Sequence, residues 1–185
     1  MNSNLKPERV GIHKAVAEGN LAQVQALIKA GANINQQENY TYETPLNLAV
    51  QLHHVEIMRA LLDAGATITP SLLDIISEEE FCYPESLAVL IESGIDINTR
   101  LEDGETVLMR AAQQGDLDIV KMLINAHADP NIVSRKANFA LLAAGHARNQ
   151  ELFEYLIPLT SPKLRAYAAD QLPTWLAKLI SKYDC

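Results

Sequence analysis

The side chains that could do acid–base, nucleophilic or metal chemistry near neutral pH are five histidines and two cysteines, and their spacing does not assemble them. His53 and His54 are adjacent, so on a helix or turn they leave on different sides and do not share a metal. Cys82 has no histidine near it in sequence and Cys185 is the last residue. Neither has metal-ligand spacing around it, which leaves two reduced thiols. No nucleophile elbow, phosphate-binding loop or HExxH helix is present. The expectation is a protein that is not an enzyme and holds no metal or cofactor; catalysis would need a site assembled from segments distant in sequence.

Bulk composition narrows the class of partner. Fifteen basic against 23 acidic residues give a formal charge of −8. No basic cluster is visible to overcome repulsion by a phosphate backbone, so no nucleic-acid partner is expected. Hydrophobic residues make up 48% of the chain, too many for a mostly disordered one. Aromatics are only 5%, so alanine and leucine must build the core, which suits closely stacked helices. The N-terminal MNSNLKPERVGIHKA lacks the apolar stretch of a signal peptide, and no apolar run approaches the ~20 residues of a membrane span. A soluble, cytoplasmic protein forming one domain over residues 1–185 is expected, monomeric by itself and without a membrane partner.

The elements are clearest between Gly104 and Asn131. Val107, Leu108, Ala111 and Ala112 fall at helical spacing, and Ile119, Val120, Leu123 and Ile124 do so again. Gly115 permits a sharp reversal between the two helices, and the Asp116 carboxylate can accept N–H bonds at the start of the second. This helical hairpin recurs. The aliphatic pairs that end each second helix begin at Leu27, Leu61, Leu90, Leu123, Leu156 and Leu179, in steps of 34, 29, 33, 33 and 23 residues.

With Thr44, Pro45, Leu46, Asn47, Leu48 and Ala49 the chain resembles the ankyrin repeats, whose unit is a β-turn plus two antiparallel helices with a T-P-L-H-x-A signature. Thr106 to Ala111 match more loosely, and the signature recurs in register with an LL-x-x-GA ending. The resemblance implies an all-α solenoid of about six stacked hairpins with short β-hairpin fingers. The repeats run approximately over 10–36, 37–68, 69–98, 99–131 and 132–160, with a capping repeat over 161–185. The third lacks a finger because Thr69-Pro70 follows directly on Ala64-Gly65-Ala66; Ser161-Pro162 gives the sixth the same form. Trp175 is expected to cover the end of the core. His13 falls where the signature histidine falls, a structural position.

In this family finger tips and first helices line a concave surface that binds partner proteins. Carried over residue by residue, that surface comprises Tyr40, Tyr42 and Glu43 on the second finger and Arg100, Glu102, Asp103 and Glu105 on the fourth. The ends of first helices add Gln51, Gln113, Gln114 and His146. The resemblance thus implies a non-enzymatic protein–protein interaction module, and the acidic surface suits a partner with a basic patch. The alternative of the same kind is an inhibitor or immunity-type protein that occludes one specific enzyme. The loop from Glu78 to Tyr83, acidic and then aromatic, is a second possible docking segment.

Overall fold

A computed structural model describes residues 11–38, 41–77 and 84–184. Twelve helices of six to ten residues are found there. Helices this short are marginal alone in water, so their stability must come from packing one apolar face against neighbours. They fall into two compact units.

The first unit contains α1 (Ile12–Ala17), α2 (Leu21–Lys29), α3 (Pro45–Gln51), α4 (Val55–Asp63), α5 (Pro70–Ile76) and α6 (Pro84–Glu92). The first helices α1, α3 and α5 pack in sequence, and so do the second helices α2, α4 and α6. Between them lie Ala15, Val16, Val24, Leu46, Ala49, Ile57, Leu61, Leu72 and Leu90, all buried. The second unit contains α7 (Val107–Gln114), α8 (Leu117–Asn125), α9 (Ala140–Ala147), α10 (Gln150–Leu156), α11 (Pro162–Gln171) and α12 (Thr174–Tyr183). Here α7 packs on α9 and α9 on α11, each with its hairpin partner alongside. Its core includes Leu108, Val120, Leu123, Phe139, Leu141, Phe153 and Leu156.

Local chemistry sets the helix ends. Thr44 Oγ1 accepts from Asn47 N–H, with Pro45 in the first turn, and Thr106 caps α7 in the same way through Met109 N–H. Asn20, Asp116 and Asn149 cap the second helices α2, α8 and α10. Past α2, α4 and α6 the chain turns through a left-handed residue, Gly31, Gly65 or Gly94, and past α8 His127 takes the same conformation at φ 65°. In the inter-helix turn where Gly19 and Gly115 are left-handed, His53 does their work at φ 55°.

The segments preceding α7 and α9 are tight turns, with Leu101 N–H donating to Glu105 O (2.7 Å) and Ser134 N–H to Asn138 O (2.8 Å); before α3, Glu38 N–H donates to Glu43 O at 2.9 Å and Tyr42 N–H to Glu38 O at 3.0 Å. No strand occurs among the described residues, so the expected β-hairpins are turns without a ladder there. Trp175 also departs from expectation. It is 46% exposed, and Ala168, Leu172, Leu176 and Ile180 supply the buried side chains of the last hairpin instead.

Candidate functional site

The fourth finger carries the densest set of expected binding residues. Its turn is closed by Gly104 N–H donating to Leu101 O (2.9 Å), with Gly104 at φ 86°, a conformation glycine adopts without strain. Asp103 Oδ1 accepts from Glu105 N–H at 2.9 Å, which holds the tip against the start of α7. One turn into that helix, Arg110 reaches back: Nη2 lies 2.8 Å from Asp103 Oδ2 and Nε 3.5 Å from Glu105 Oε2. Asn138, from the following finger, donates to Glu105 Oε1 at 2.7 Å. In that finger Ser134 Oγ accepts from Lys136 and Asn138 N–H, placing Lys136 beside the Asp103 tip.

The result is an open cleft of about 640 Å³ lined by Asp103, Glu105, Arg110, Gln113, Gln114 and Lys136. Burial disfavours the charged form of Asp103, but the Glu105 N–H, the Arg110 guanidinium and the charge of Lys136 prevail and hold its carboxyl below the ordinary range. Gln114 Nε2 donates to Ser77 O at 3.0 Å, which orients that amide. The two carboxylates and two cations of the lining balance, so the cleft is polar but close to neutral.

Four expected binding residues therefore meet in one place: Asp103, Glu105, Gln113 and Gln114. Glu105 requires a correction. It was expected as an exposed finger side chain and is only 8% exposed, its carboxylate engaged by Asn138 and Arg110. Arg110 and Lys136 line the same cleft and were not in the expected set; their charge opposite an acidic finger was the available signal. Arg100 donates to Gly104 O at 3.0 Å, Glu102 is exposed at the tip, and His146 is exposed on α9, all outside the lining.

In the first unit, Tyr42 is 71% exposed at φ 57°. Glu43 and Gln51 are half-buried, and Tyr40 lies outside the described residues, as do Glu78 to Tyr83 and Cys185. The Glu43 carbonyl lies 3.0 Å from Nε2 of buried His13, so the histidine braces α1 against the base of the next finger. A shallower depression of about 440 Å³ is lined by Gly19, Leu21, His53, His54, Val55, Glu56 and Ile57. Burial and then the neighbouring His54 lower the His53 pKa, favouring the neutral ring. Among the described residues no group of three His, Cys, Asp or Glu side chains could hold a metal, and no helix is long and apolar enough to cross a membrane.

The sequence matches a family model described as "Ankyrin repeats (3 copies)" twice, over residues 2–72 and 73–166. It is 29% identical over 125 residues to an ankyrin repeat protein of Rickettsia felis, covering 68% of this chain and 45% of that protein. It is 31% identical over 122 residues to ankyrin repeat and SOCS box protein 6 of Mus musculus, covering 62% of this chain and 27% of the relative. With neurogenic locus notch homolog protein 1 of Xenopus tropicalis it shares 27% identity over 163 residues, 83% of this chain and 6% of the relative. The chain thus spans less than half the length of these relatives. With both model matches together running through most of its length, the chain belongs to the ankyrin-repeat family.

Proposed function

We propose that this chain is a non-enzymatic protein–protein interaction module that engages its partner through fingers and first helices, with the cleft between Asp103 and Lys136 as the principal contact in the second unit. Ankyrin repeats are in general modules that bind other proteins, and the helix pairs are read here as six repeats, the third and sixth without fingers. The observation that carries the reading is the convergence of Asp103, Gln113, Gln114, Arg110 and Lys136 on one open, polar cleft. Fixed donors and acceptors on a rigid wall recognise a protein surface at low entropic cost. In the first unit Tyr42 is the corresponding anchor, a large side chain that loses little freedom on binding.

The net charge of −8 and the exposed Glu102 favour a partner with a basic patch around a more neutral centre. The experiment is isolation of the partner on the wild-type chain, followed by calorimetry with Gln113→Ala/Lys136→Ala and with Tyr40→Ala/Tyr42→Ala. Each double variant is expected to weaken binding by about tenfold or more while leaving the unfolding midpoint unchanged. Wild-type affinity in both variants would remove the finger and first-helix surface as the site.

A further inference from the structure

The last hairpin reverses the charge of the rest of the chain. Residues 161–185 hold four basic side chains, Lys163, Arg165, Lys178 and Lys182, against Asp170 and Asp184. That net of +2 leaves −10 on the remainder. Helix α12 itself contains no acidic residue. Its Leu176 and Ile180 are buried, which fixes its rotation, and Trp175, Lys178 and Lys182, at i, i+3 and i+7, share the opposite, exposed face.

The C-terminal end of α12 is held by one side chain of the preceding helix. Arg165 of α11 pairs with Asp184, donates to Thr160 O at 2.6 Å and lies 5.0 Å from the Tyr183 ring centroid. The end of α12 is thereby pinned, and the acidic residue that could have neutralised Lys182 is already paired. What this face exposes is an indole followed, one and two turns further along, by two ammonium groups.

We propose that this face of α12 docks an acidic segment of a partner protein, the Trp175 indole packing on an apolar side chain and Lys178 and Lys182, one and two turns further along the helix, pairing with successive carboxylates that follow it. One exposed indole on a helix whose apolar side is already buried gives too little area for insertion into a membrane interface. Two lysines neutralise too few phosphates to hold a nucleic acid. A short acidic segment is held locally, because charges more than about 8 Å away are largely screened at physiological salt. This surface is separate from the finger cleft and does not depend on it.

Trp175 is the one tryptophan of the chain, so its emission reads the site directly. The full chain is titrated with a synthetic peptide of glutamate pairs alternating with leucine, with a lysine–leucine peptide and anionic phospholipid vesicles as separate probes. A saturable blue shift with the glutamate peptide is expected, weakening about tenfold between roughly 50 and 300 mM salt and to the same extent in Lys178→Glu/Lys182→Glu. The lysine peptide is expected to give no shift. The proposal is overturned by no shift with the glutamate peptide, by an unchanged shift in the double variant, or by a shift with vesicles alone. It is equally overturned if sedimentation shows that a second copy of the chain already covers Trp175. The finger variants Gln113→Ala/Lys136→Ala should bind the glutamate peptide as the wild type does, which keeps this result distinct from any result at the cleft.

Discussion

The guanidinium of Arg110 holds both carboxylates of the finger before it, Asp103 at 2.8 Å and Glu105 at 3.5 Å. Two like charges on adjacent walls would otherwise drive the tip away from α7, so the shape of the cleft depends on the cation between them. Arg110→Ala should leave the carboxylate of Glu105, 8% exposed, without this cation and with the hydrogen bond from the neutral Asn138 amide still in place. Loss of a partner for a buried carboxylate costs about 1 to 3 kcal/mol, which urea denaturation would register. Arg110→Lys should recover only part of it, because an ammonium cannot present two forked donors. Wild-type stability in the alanine variant would mean that the ion pairs do not shape the finger.

The same contacts make the finger sensitive to acid. Asp103 has its carboxyl pKa lowered in the folded chain: burial opposes ionisation, but the Glu105 N–H and Arg110 outweigh it. A folded-state pKa below the unfolded one contributes stability that is complete above the unfolded value and is lost as pH falls through the folded one. The Asp103 carboxyl resonance should therefore titrate below an ordinary aspartate, and Arg110→Ala should move its midpoint upward. An ordinary midpoint in the wild type would rule out the ion pair as it stands.

Much of this architecture is legible in the sequence, because aliphatic spacing and capping residues act locally. Thr44, Thr106 and Asp116 cap helices where their type and position say they should. His127 stands in for a helix-ending glycine at φ 65°, as its place in the pattern requires. What the pattern does not show is contact made at long range. Glu105 reads as a solvated finger residue until Asn138, 33 residues later, is seen to donate to it. Lys136 joins the cleft because the Ser134 turn carries it there. Trp175 reads as a core-covering side chain, yet Leu172, Leu176 and Ile180 fill that space and leave the indole outside.

Asparagines four residues past three of the helix-ending turns, those at Gly31, Gly94 and His127, bind successive hairpins together. Asn131 Nδ2 donates to Leu159 O at 3.2 Å and its Oδ1 accepts from Ser161 N–H at 2.6 Å. Asn98 makes the same pair with His127 O and Asp129 N–H, and Asn35 Oδ1 accepts from Thr67 N–H. At the matching place after Gly65 stands Thr69, whose hydroxyl lies 2.7 Å from Ser71 Oγ instead. Asn131→Ala should cost about 1 to 2 kcal/mol, the net worth of two such bonds. It should also speed hydrogen exchange at the Ser161 amide; unchanged exchange there would mean the bond is not maintained in solution.

Gly145 lies inside α9, where glycine weakens a helix by about 1 kcal/mol relative to alanine, so its presence needs a packing reason. A Cβ built at this position would lie 2.6 Å from Leu172 Cδ2, 2.7 Å from Cδ1 and 3.2 Å from Cγ. Leu172 is 7% exposed and therefore has little room to withdraw. Overpacking typically costs about 1 to 3 kcal/mol, which outweighs the propensity gained, so Gly145→Ala should lower the thermal midpoint. Leu172→Ala should also destabilise the chain, by opening a void in the last hairpin. Because the new methyl group would partly fill that void, the double variant should lose less than the sum of the two single variants. Additive losses, or a stabilised Gly145→Ala chain, would show that α9 does not approach Leu172 this closely.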